Sequence, residues 1–163
     1  MVVIGIIAVV AAFVGPNMGT WNCKQEIKTD ADIVNDFLEM AKNHGVERLN
    51  DKGYLESKGL EYMNTQVLAT VEGDTMNLYL INKGTCRKSS PAKKFHYRKL
   101  NSKTKINSFS ICFNLDGSSS GGEVMTSRLC GDENIQIRNT VYGATSYIVK
   151  ERNNHKLNRY EEL

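Results

Sequence analysis

The chain opens with an apolar run, Met1-Val-Val-Ile-Gly-Ile-Ile-Ala-Val-Val-Ala-Ala-Phe-Val14, which Gly15 and Pro16 close. No side chain between Met1 and Val14 is polar. Proline cannot donate a hydrogen bond to the preceding helical turn, so we expect the apolar helix to break at Gly15 and Pro16. The run is shorter than the roughly 20 residues that a helix needs to span a bilayer. It is therefore the core of a signal peptide, a buried helix, or part of a longer membrane helix.

The first two of these interpretations lack their usual features. A signal peptide begins with basic residues and ends with a small-x-small cleavage site, but Val2 follows Met1 directly and no such site precedes Gly15. A buried helix in a globular domain has a polar face, whereas this run is apolar on every face. We therefore expect a membrane helix that continues upstream of Met1.

The rest of the chain has the composition of an ordinary folded domain. Its 163 residues include 21 Lys and Arg, 18 Asp and Glu and 2 Pro, with 40% apolar and 24% charged residues. This composition fits one domain, and it excludes a wholly disordered chain, a collagen and a multi-span membrane protein.

Residues 17–50 carry the pattern of an amphipathic helix. Thr29 or Asp30 would cap its start, or the helix runs on from near Thr20, and Gly45 would end it. Its apolar residues recur at helical spacing, which predicts one face packed on a core. They are Ile27, Ile33, Val34, Phe37, Leu38, Met40 and Ala41.

Beyond this helix the apolar alternation changes to period two, which predicts strands. The predicted strands are residues 66–71, 77–81, 105–115, 123–129, 134–138 and 146–150. A helix followed by antiparallel strands belongs to the α+β class. We expect a long N-terminal helix, apolar in its first half and amphipathic in its second, packed on an antiparallel β-sheet domain. The predicted segments are 1–16 (apolar helix), 17–50 (amphipathic helix), 51–152 (β-domain) and 153–163 (mobile tail).

Cys23, Cys86, Cys112 and Cys130 are too widely spaced for a C-x-x-C motif. In an exported domain they favour two disulfides, for which three connectivities are possible. If residues 105–115 and 123–129 form a hairpin, Cys112 and Cys130 lie about 13 Å apart along the ladder, and a disulfide needs Cα atoms within about 7 Å. We therefore expect that these two are not bonded to each other. Free thiols in a cytosolic protein are the alternative.

Residues 87–105 contain eight basic residues and no acidic one, which leaves the rest of the chain with a net charge of −5. Phe95, His96 and Tyr97 interrupt this run, and aromatic rings beside cations suit a polyanion such as DNA. The alternatives are a solvated edge strand protected by lysines, or a face that docks on an acidic neighbour in an assembly. The candidate polyanion-binding residues are Arg87, Lys88, Lys93, Lys94, Arg98 and Lys99.

No motif indicates catalysis or cofactor binding. Gly117-Ser-Ser-Ser-Gly121 has the form of a nucleophile elbow, but a predicted strand follows where that motif needs a helix, so we expect a flexible hairpin turn. His44, His96 and His155 lack metal or catalytic-triad spacing. We expect no enzyme, no cofactor and no metal. A set of oxygen-bearing residues near two turns lacks the spacing of an EF-hand Ca²⁺ site: Asn114, Asp116, Glu123, Asp132 and Glu133.

Residues 1–16 resemble the conserved N-terminal helix of type IV pilins and type II secretion pseudopilins. In that family the helix lies in the inner membrane before assembly and in the filament core afterwards, and Gly15 and Pro16 match its helix-breaking position. The basic leader, cleavage-site Gly, methylated Phe and Glu that precede the helix in that family are not in this sequence. The resemblance implies membrane and filament packing by Val2, Val3, Ile4, Ile6, Ile7, Val9, Val10, Phe13 and Val14.

Residues 31–42 (ADIVNDFLEMAK) and 112–124 (CFNLDGSSSGGEV) are similar to the FimT and GspH class of minor pilins and pseudopilins. The resemblance implies a non-enzymatic structural subunit of a type IV pilus or type II secretion pseudopilus, with other pilin or pseudopilin subunits as partners. It implies a single-pass inner-membrane protein with a periplasmic domain, which then joins an extracellular pilus or a periplasmic pseudopilus. Some pilins of this family bind DNA during natural transformation. The alternative is a secreted, disulfide-containing binding domain with a cleaved signal peptide, whose basic stretch binds a polyanion.

Overall fold

The computed structural model describes the backbone of residues 2–84, 86–88, 92–154 and 159–163, and the side chains within these ranges except those of residues 2–17, 44 and 154. Helix α1, Val2–Asn50, is followed by the short helix α2, Lys52–Ser57. A helix followed by antiparallel strands confirms the predicted α+β class. The strands are β1 Thr65–Glu72, β2 Thr75–Asn82, β3 Lys93–Lys99, β4 Lys105–Ile106, β5 Ser110–Phe113, β6 Gly122–Cys130, β7 Glu133–Val141, β8 Ile148–Asn154 and β9 Arg159–Glu162.

The strands form two antiparallel sheets. Sheet A has the order β3-β2-β1-β5, and sheet B has the order β4-β6-β7-β8-β9. The β1–β2 hairpin pairs Val67 with Leu80, and the β6–β7 hairpin pairs Thr126 with Ile137. Because β3 and β5 belong to sheet A while β4 and β6 belong to sheet B, the chain passes between the sheets three times.

The second half of α1 packs on both sheets. Phe37 and Leu38 are buried in one cluster with Leu78 of sheet A. Nearer the start of the helix, Ile27 is buried in a second cluster with Ile137 of sheet B. The apolar face predicted for residues 17–50 is therefore confirmed, and it joins the two sheets through one helix.

Helix α1 is longer than the sequence predicts. It ends at Asn50, beyond the predicted end at Gly45. A Cβ atom at Gly45 would lie 2.6 Å from Cγ2 of Val67, so this glycine permits close packing on β1 and does not end the helix. Helix α1 also runs through Gly15 and Pro16, and the break predicted there is not seen. Proline has a φ near −65°, which a helix accepts, but inside a helix it removes a backbone hydrogen bond and its ring crowds the carbonyl four residues earlier. Helix α1 nevertheless stays helical through Pro16.

The predicted strand over residues 105–115 is wrong. Its two ends form β4, which pairs with β6, and β5, which pairs with β1, so they lie in different sheets. The sequence predicts neither α2 nor β9, and it gives β3 only as the edge-strand alternative for the basic stretch. Lys93–Lys99 is not among the strands predicted by alternation, because four of its 7 residues are charged and only Phe95 and Tyr97 are apolar. Residues Arg159–Glu162, within the predicted mobile tail, form β9 against β8.

All four cysteines form disulfides. Cys23 bonds Cys130 and Cys86 bonds Cys112, with Cα–Cα distances of 5.6 and 5.7 Å. The prediction that Cys112 and Cys130 are not bonded to each other is confirmed. Its premise is wrong, however, because β5 pairs with β1 and forms no hairpin with β6. One disulfide joins α1 to sheet B, and the other joins the β2–β3 connection to β5.

Candidate functional site

Helix α1 is fastened to sheet B along the first part of its amphipathic half. The disulfide between Cys23 and Cys130 holds the helix beside the β6–β7 turn. Ion pairs continue this attachment in the C-terminal direction. They are Lys24–Glu133 at 2.6 Å, Glu26–Arg128 at 2.5 Å, and Asp32–Lys150. Because a covalent bond and several ion pairs act together, this part of α1 and sheet B form one unit.

Asp30 is a buried carboxylate of α1 that holds the connection between β3 and β4. One carboxylate oxygen accepts a hydrogen bond from the Thr104 hydroxyl, and the other accepts one from the backbone N–H of Asn101 at 3.4 Å. A buried carboxylate needs such donors to replace its lost hydration. Asp30 thereby positions the segment that leads into Lys105.

The first half of α1 precedes these contacts. Thr20 lies beside Gly131 in the β6–β7 turn, and Met18 and Trp21 are 55% and 60% exposed. Met18 and Trp21 are three residues apart, so they share one helix face. A helix rises about 1.5 Å per residue, which places Val2 about 27 Å along the helix axis from Thr20. The residues predicted for filament and membrane packing, in the range 2–14, occupy this length, and their side chains lie outside the described residues.

The basic stretch does not form one continuous patch. Lys93–Lys99 form β3, an edge strand of sheet A, whereas Lys105 lies in β4 of sheet B. Lys103 lies in the connection that Asp30 holds. The structure therefore divides the stretch between two parts of the molecule.

Acidic partners compensate two of the six candidate polyanion-binding residues. The Lys88 Nζ lies 2.8 Å from a carboxylate oxygen of Glu72, and Lys99 lies 3.3 Å from Asp74. The hydrogen bond from Lys88 lowers the pKa of Glu72, and the same bond raises the pKa of Lys88. These two lysines are thus less available to an external anion.

Three cations of β3 are exposed, and no ion pair joins them to a described carboxylate: Lys93, Lys94 and Arg98. The Lys94 Nζ lies 5.0 Å from the ring centre of the exposed Tyr97. Lysines on an edge strand discourage pairing with a further strand, and cations beside an exposed ring also suit a polyanion. The geometry is compatible with both hypotheses. Arg87, the remaining candidate, is exposed in the β2–β3 connection.

A cleft that the sequence does not predict lies at the C-terminal end of α1. The Arg48 guanidinium lies 5.2 Å from the ring centre of Tyr54 and 4.9 Å from that of Phe95, and it donates a hydrogen bond of 2.9 Å to the Tyr54 hydroxyl. Asp51 and His96 also line this cleft of about 520 Å³. Phe95 reaches it as the extra residue of a bulge in β3. Arg48 therefore ties α1, α2 and β3 together, and the sequence shows only a basic residue in the last helical turn.

The serine-rich segment 117–121 joins β5 of sheet A to β6 of sheet B, so the predicted hairpin turn is wrong. The Ser118 backbone N–H and hydroxyl donate to Asp116, and the bond from the hydroxyl is the main cause of the lowered pKa of Asp116. The Ser119 hydroxyl donates to the Tyr142 carbonyl at 3.5 Å. These hydroxyls hold the connection in place.

The residues considered for Ca²⁺ lie at opposite ends of β6. Asp116 precedes this strand and Asp132 follows it, and its 9 residues span about 30 Å. In the described ranges, no three His, Cys, Asp or Glu side chains come together as metal ligands. His155 and the side chain of His44 lie outside the described residues.

Within the part of the chain that the structure describes, no helix is both long enough and apolar enough to cross a membrane. Comparisons with protein-family models, with curated proteins and with solved structures find no match to this chain.

Proposed function

We propose that this chain is a non-enzymatic structural subunit of a pilin-type filament, a type IV pilus or a type II secretion pseudopilus. The observation that carries the proposal is the layout of α1. The helix has 49 residues, its sequence is apolar as far as Val14, and the contacts that fasten it to the β-domain begin near Thr20. In the proposed filament the first half of α1 packs against other subunits, and the β-domain faces outward.

The apolar side chains of residues 2–14 supply the driving force for this assembly. Burial of a Val, Ile or Phe side chain contributes about 1.5–3 kcal/mol, so the nine predicted packing residues supply on the order of 10 kcal/mol or more. Lipid or neighbouring helices cover such a surface, whereas water does so only at a large cost. The inner membrane holds the helix before assembly, and other pilin or pseudopilin subunits hold it afterwards.

Two further features support this proposal. Disulfides persist in oxidising compartments such as the periplasm, and both are present here. The Cys23–Cys130 bond also gives α1 a firm base on the β-domain from which its first half can engage neighbours. A bend at Gly15 and Pro16 during the transfer from bilayer to filament stays a prediction, since α1 is continuous there.

Photo-crosslinking in the native host tests the proposal. A photoreactive residue at Val10 should crosslink to a second copy or to another pilin-type subunit in the sheared filament fraction. The same residue at Tyr147, exposed on the β-domain, should give far fewer such products. Ile7→Asp should abolish incorporation into filaments because it places a charge in the packed core, and Leu163→Asp should not. Failure of Val10 to crosslink to any other subunit, with the protein present in the envelope, would refute the proposal.

A secreted binding domain is the second candidate function, and the exposed cations of β3 favour it. N-terminal sequencing of the mature protein separates the two. Residues upstream of Met1 that begin with a methylated Phe support the pilin proposal, whereas a chain that begins after about Val14 indicates a cleaved signal peptide. For the polyanion hypothesis, Lys93→Gln with Lys94→Gln should weaken DNA retardation, and Lys103→Gln with Lys105→Gln should not.

A further inference from the structure

A cleft of about 750 Å³ lies where α1 first meets sheet B. Gly19 of α1 forms one wall, and Lys103, Lys105 and Arg128 line the cleft from the β-domain. Among the described residues that line it, three are cationic and none is acidic. The side chains that line the cleft are therefore cationic rather than acidic, and the cleft lies at the end of the β-domain nearest the apolar half of α1.

Arg128 contributes a buried charge to this cleft. Its side chain is 8% exposed, and its Nη2 lies 2.5 Å from a carboxylate oxygen of Glu26. Its Nη1 is buried and has no hydrogen-bond partner among the described residues. A buried, unsatisfied donor on a charged group is costly, and an anionic acceptor in the cleft would remove that cost after a small side-chain shift.

Lys103 and Lys105 carry charge that no described carboxylate compensates. Both are exposed, and neither is joined by an ion pair to the carboxylates that Lys24 and Arg128 use. A guanidinium and two ammonium groups form a donor set that suits a phosphate group.

The position of the cleft along α1 indicates the source of that phosphate. Gly19 follows Val14 by about 7.5 Å along the helix axis. The polar layer on each side of a bilayer is about 5–8 Å thick. If Val14 lies at the hydrocarbon boundary, Gly19 and the cleft lie at the level of the lipid headgroups.

Exposed apolar side chains surround this end of the β-domain. Met18 and Trp21 are exposed on α1, and Leu129, beside the cleft, is 69% exposed. Tryptophan is enriched at the membrane–water interface, where its ring meets both lipid and water. These residues favour a lipid surface over a free ion or a nucleic acid.

We infer that the cleft of Gly19, Lys103, Lys105 and Arg128 binds the phosphate of an anionic phospholipid headgroup while the subunit is in the membrane. The inference rests on the proposed function, because it requires the first half of α1 to lie in a bilayer. The bound headgroup fixes the depth and the orientation of the β-domain above the membrane before assembly.

Trp21 is the only tryptophan of the chain, and it lies on α1 between Gly19 and Cys23, which both line the cleft. Its fluorescence can therefore report which lipids surround this turn of the helix. The full chain is reconstituted in mixed vesicles of phosphatidylglycerol and phosphatidylcholine, with one or the other lipid brominated in its upper acyl chain. At equal mole fraction, brominated phosphatidylglycerol should be enriched about threefold over brominated phosphatidylcholine around Trp21. Lys103→Gln with Lys105→Gln should remove most of this enrichment. Lys93→Gln with Lys94→Gln, an equal change of charge on β3, should leave it in place.

The possible outcomes separate this inference from the proposed function. Equal quenching by both lipids overturns the inference and leaves membrane insertion intact. Absence of quenching by either lipid overturns the inference, and failure of the chain to co-float with the vesicles overturns membrane insertion and with it both proposals. If millimolar inorganic phosphate removes the enrichment where chloride of equal ionic strength does not, the ligand is free phosphate. If duplex DNA removes it, the ligand is a nucleic acid, and either result overturns the lipid assignment.

Discussion

Glycine has a low helix propensity, yet Gly45 lies inside α1 because its small size permits close packing of the helix on Val67 of β1. Alanine at an exposed helix position stabilises a protein by about 1 kcal/mol relative to glycine. A Cβ atom at Gly45, however, would lie 2.6 Å from Val67 Cγ2. We expect Gly45→Ala to destabilise the fold by about 1–3 kcal/mol, because overpacking of a core outweighs the gain in helix propensity. Urea unfolding of the oxidised chain in detergent measures this.

Gly19 is the matched control within the same helix. Among the described residues, no atom other than those of its chain neighbours and of its own helix backbone lies within 4 Å of a Cβ built there. Gly19→Ala should therefore stabilise the fold by about 0.5–1 kcal/mol. If the two substitutions change the free energy of unfolding equally, then the contact with Val67 does not determine the effect of an alanine at position 45.

Asn139 is a polar residue in an apolar position. It is 0% exposed, and among the described residues neither its side-chain nitrogen nor its oxygen has a hydrogen-bond partner. Asn139→Leu removes both unsatisfied groups and keeps the same number of branched side-chain heavy atoms, so we expect it to raise the free energy of unfolding by about 1–3 kcal/mol. Asn77, whose amide donates to the Thr75 carbonyl at 3.2 Å, should gain less from the same substitution. A loss of stability in Asn139→Leu would show that the amide is satisfied by ordered water.

At the scale of elements, the two disulfides differ in what they join. Cys23–Cys130 spans 107 residues and ties α1 to sheet B, whereas Cys86–Cys112 spans 26. Loop-closure entropy predicts that Cys23→Ser with Cys130→Ser lowers the free energy of unfolding by about 1 kcal/mol more than Cys86→Ser with Cys112→Ser. Chemical unfolding of the two double variants measures the difference, and the opposite order would contradict this prediction.

Local patterns predict most elements but not their partners. The spacing of Val34, Phe37 and Ala41 predicts the buried face of α1, and period-two alternation predicts β1, β2, β6 and β7. The same alternation predicts one strand over residues 105–115, because β4 and β5 are both extended and the sequence does not show where one ends and the other begins. Strand β3 has only two apolar residues, Phe95 and Tyr97, because an edge strand covered with lysines exposes much of its side-chain surface.

The cleft where α1 first meets sheet B is harder still to predict from the sequence. Lys103 and Lys105 belong to a basic stretch that is visible in the sequence, but Arg128 and Gly19 are distant from it in the chain. The buried Asp30 accepts hydrogen bonds from Asn101 and Thr104, and it thereby positions the segment that carries Lys103 and Lys105 beside the cleft.

At the scale of the whole molecule, we expect acid to weaken the ion pair between Glu72 and Lys88 on the surface of the β-domain. The Lys88 hydrogen bond lowers the pKa of Glu72 below its usual 4.5. Ionised Glu72 therefore stabilises the folded protein fully at a pH above its unfolded-state pKa. This contribution is lost as the pH falls through the lower pKa that Glu72 has in the folded protein. Between about pH 7 and about pH 3, the melting temperature of Glu72→Gln should therefore fall less than that of the unsubstituted chain. The effect should be small because both side chains are exposed.

Circular dichroism at the two pH values measures this change. The control is Glu56→Gln, whose partner Lys52 lies 3.9 Å away. An equal change in both variants would show that the Lys88 contact contributes nothing specific.

The sequence by itself determined the α+β class, the helical face that packs on the sheets, and a set of four cysteines whose spacing suits disulfides. These properties are local, since a period of 3.6 or 2 residues is read within one segment. Only the tertiary structure decided that β4 and β5 join different sheets, that Cys23 bonds Cys130, and that Arg128 and Lys105 line one cleft. Such contacts join residues far apart in the chain, and they depend on how helix and sheets pack together, which no single segment encodes.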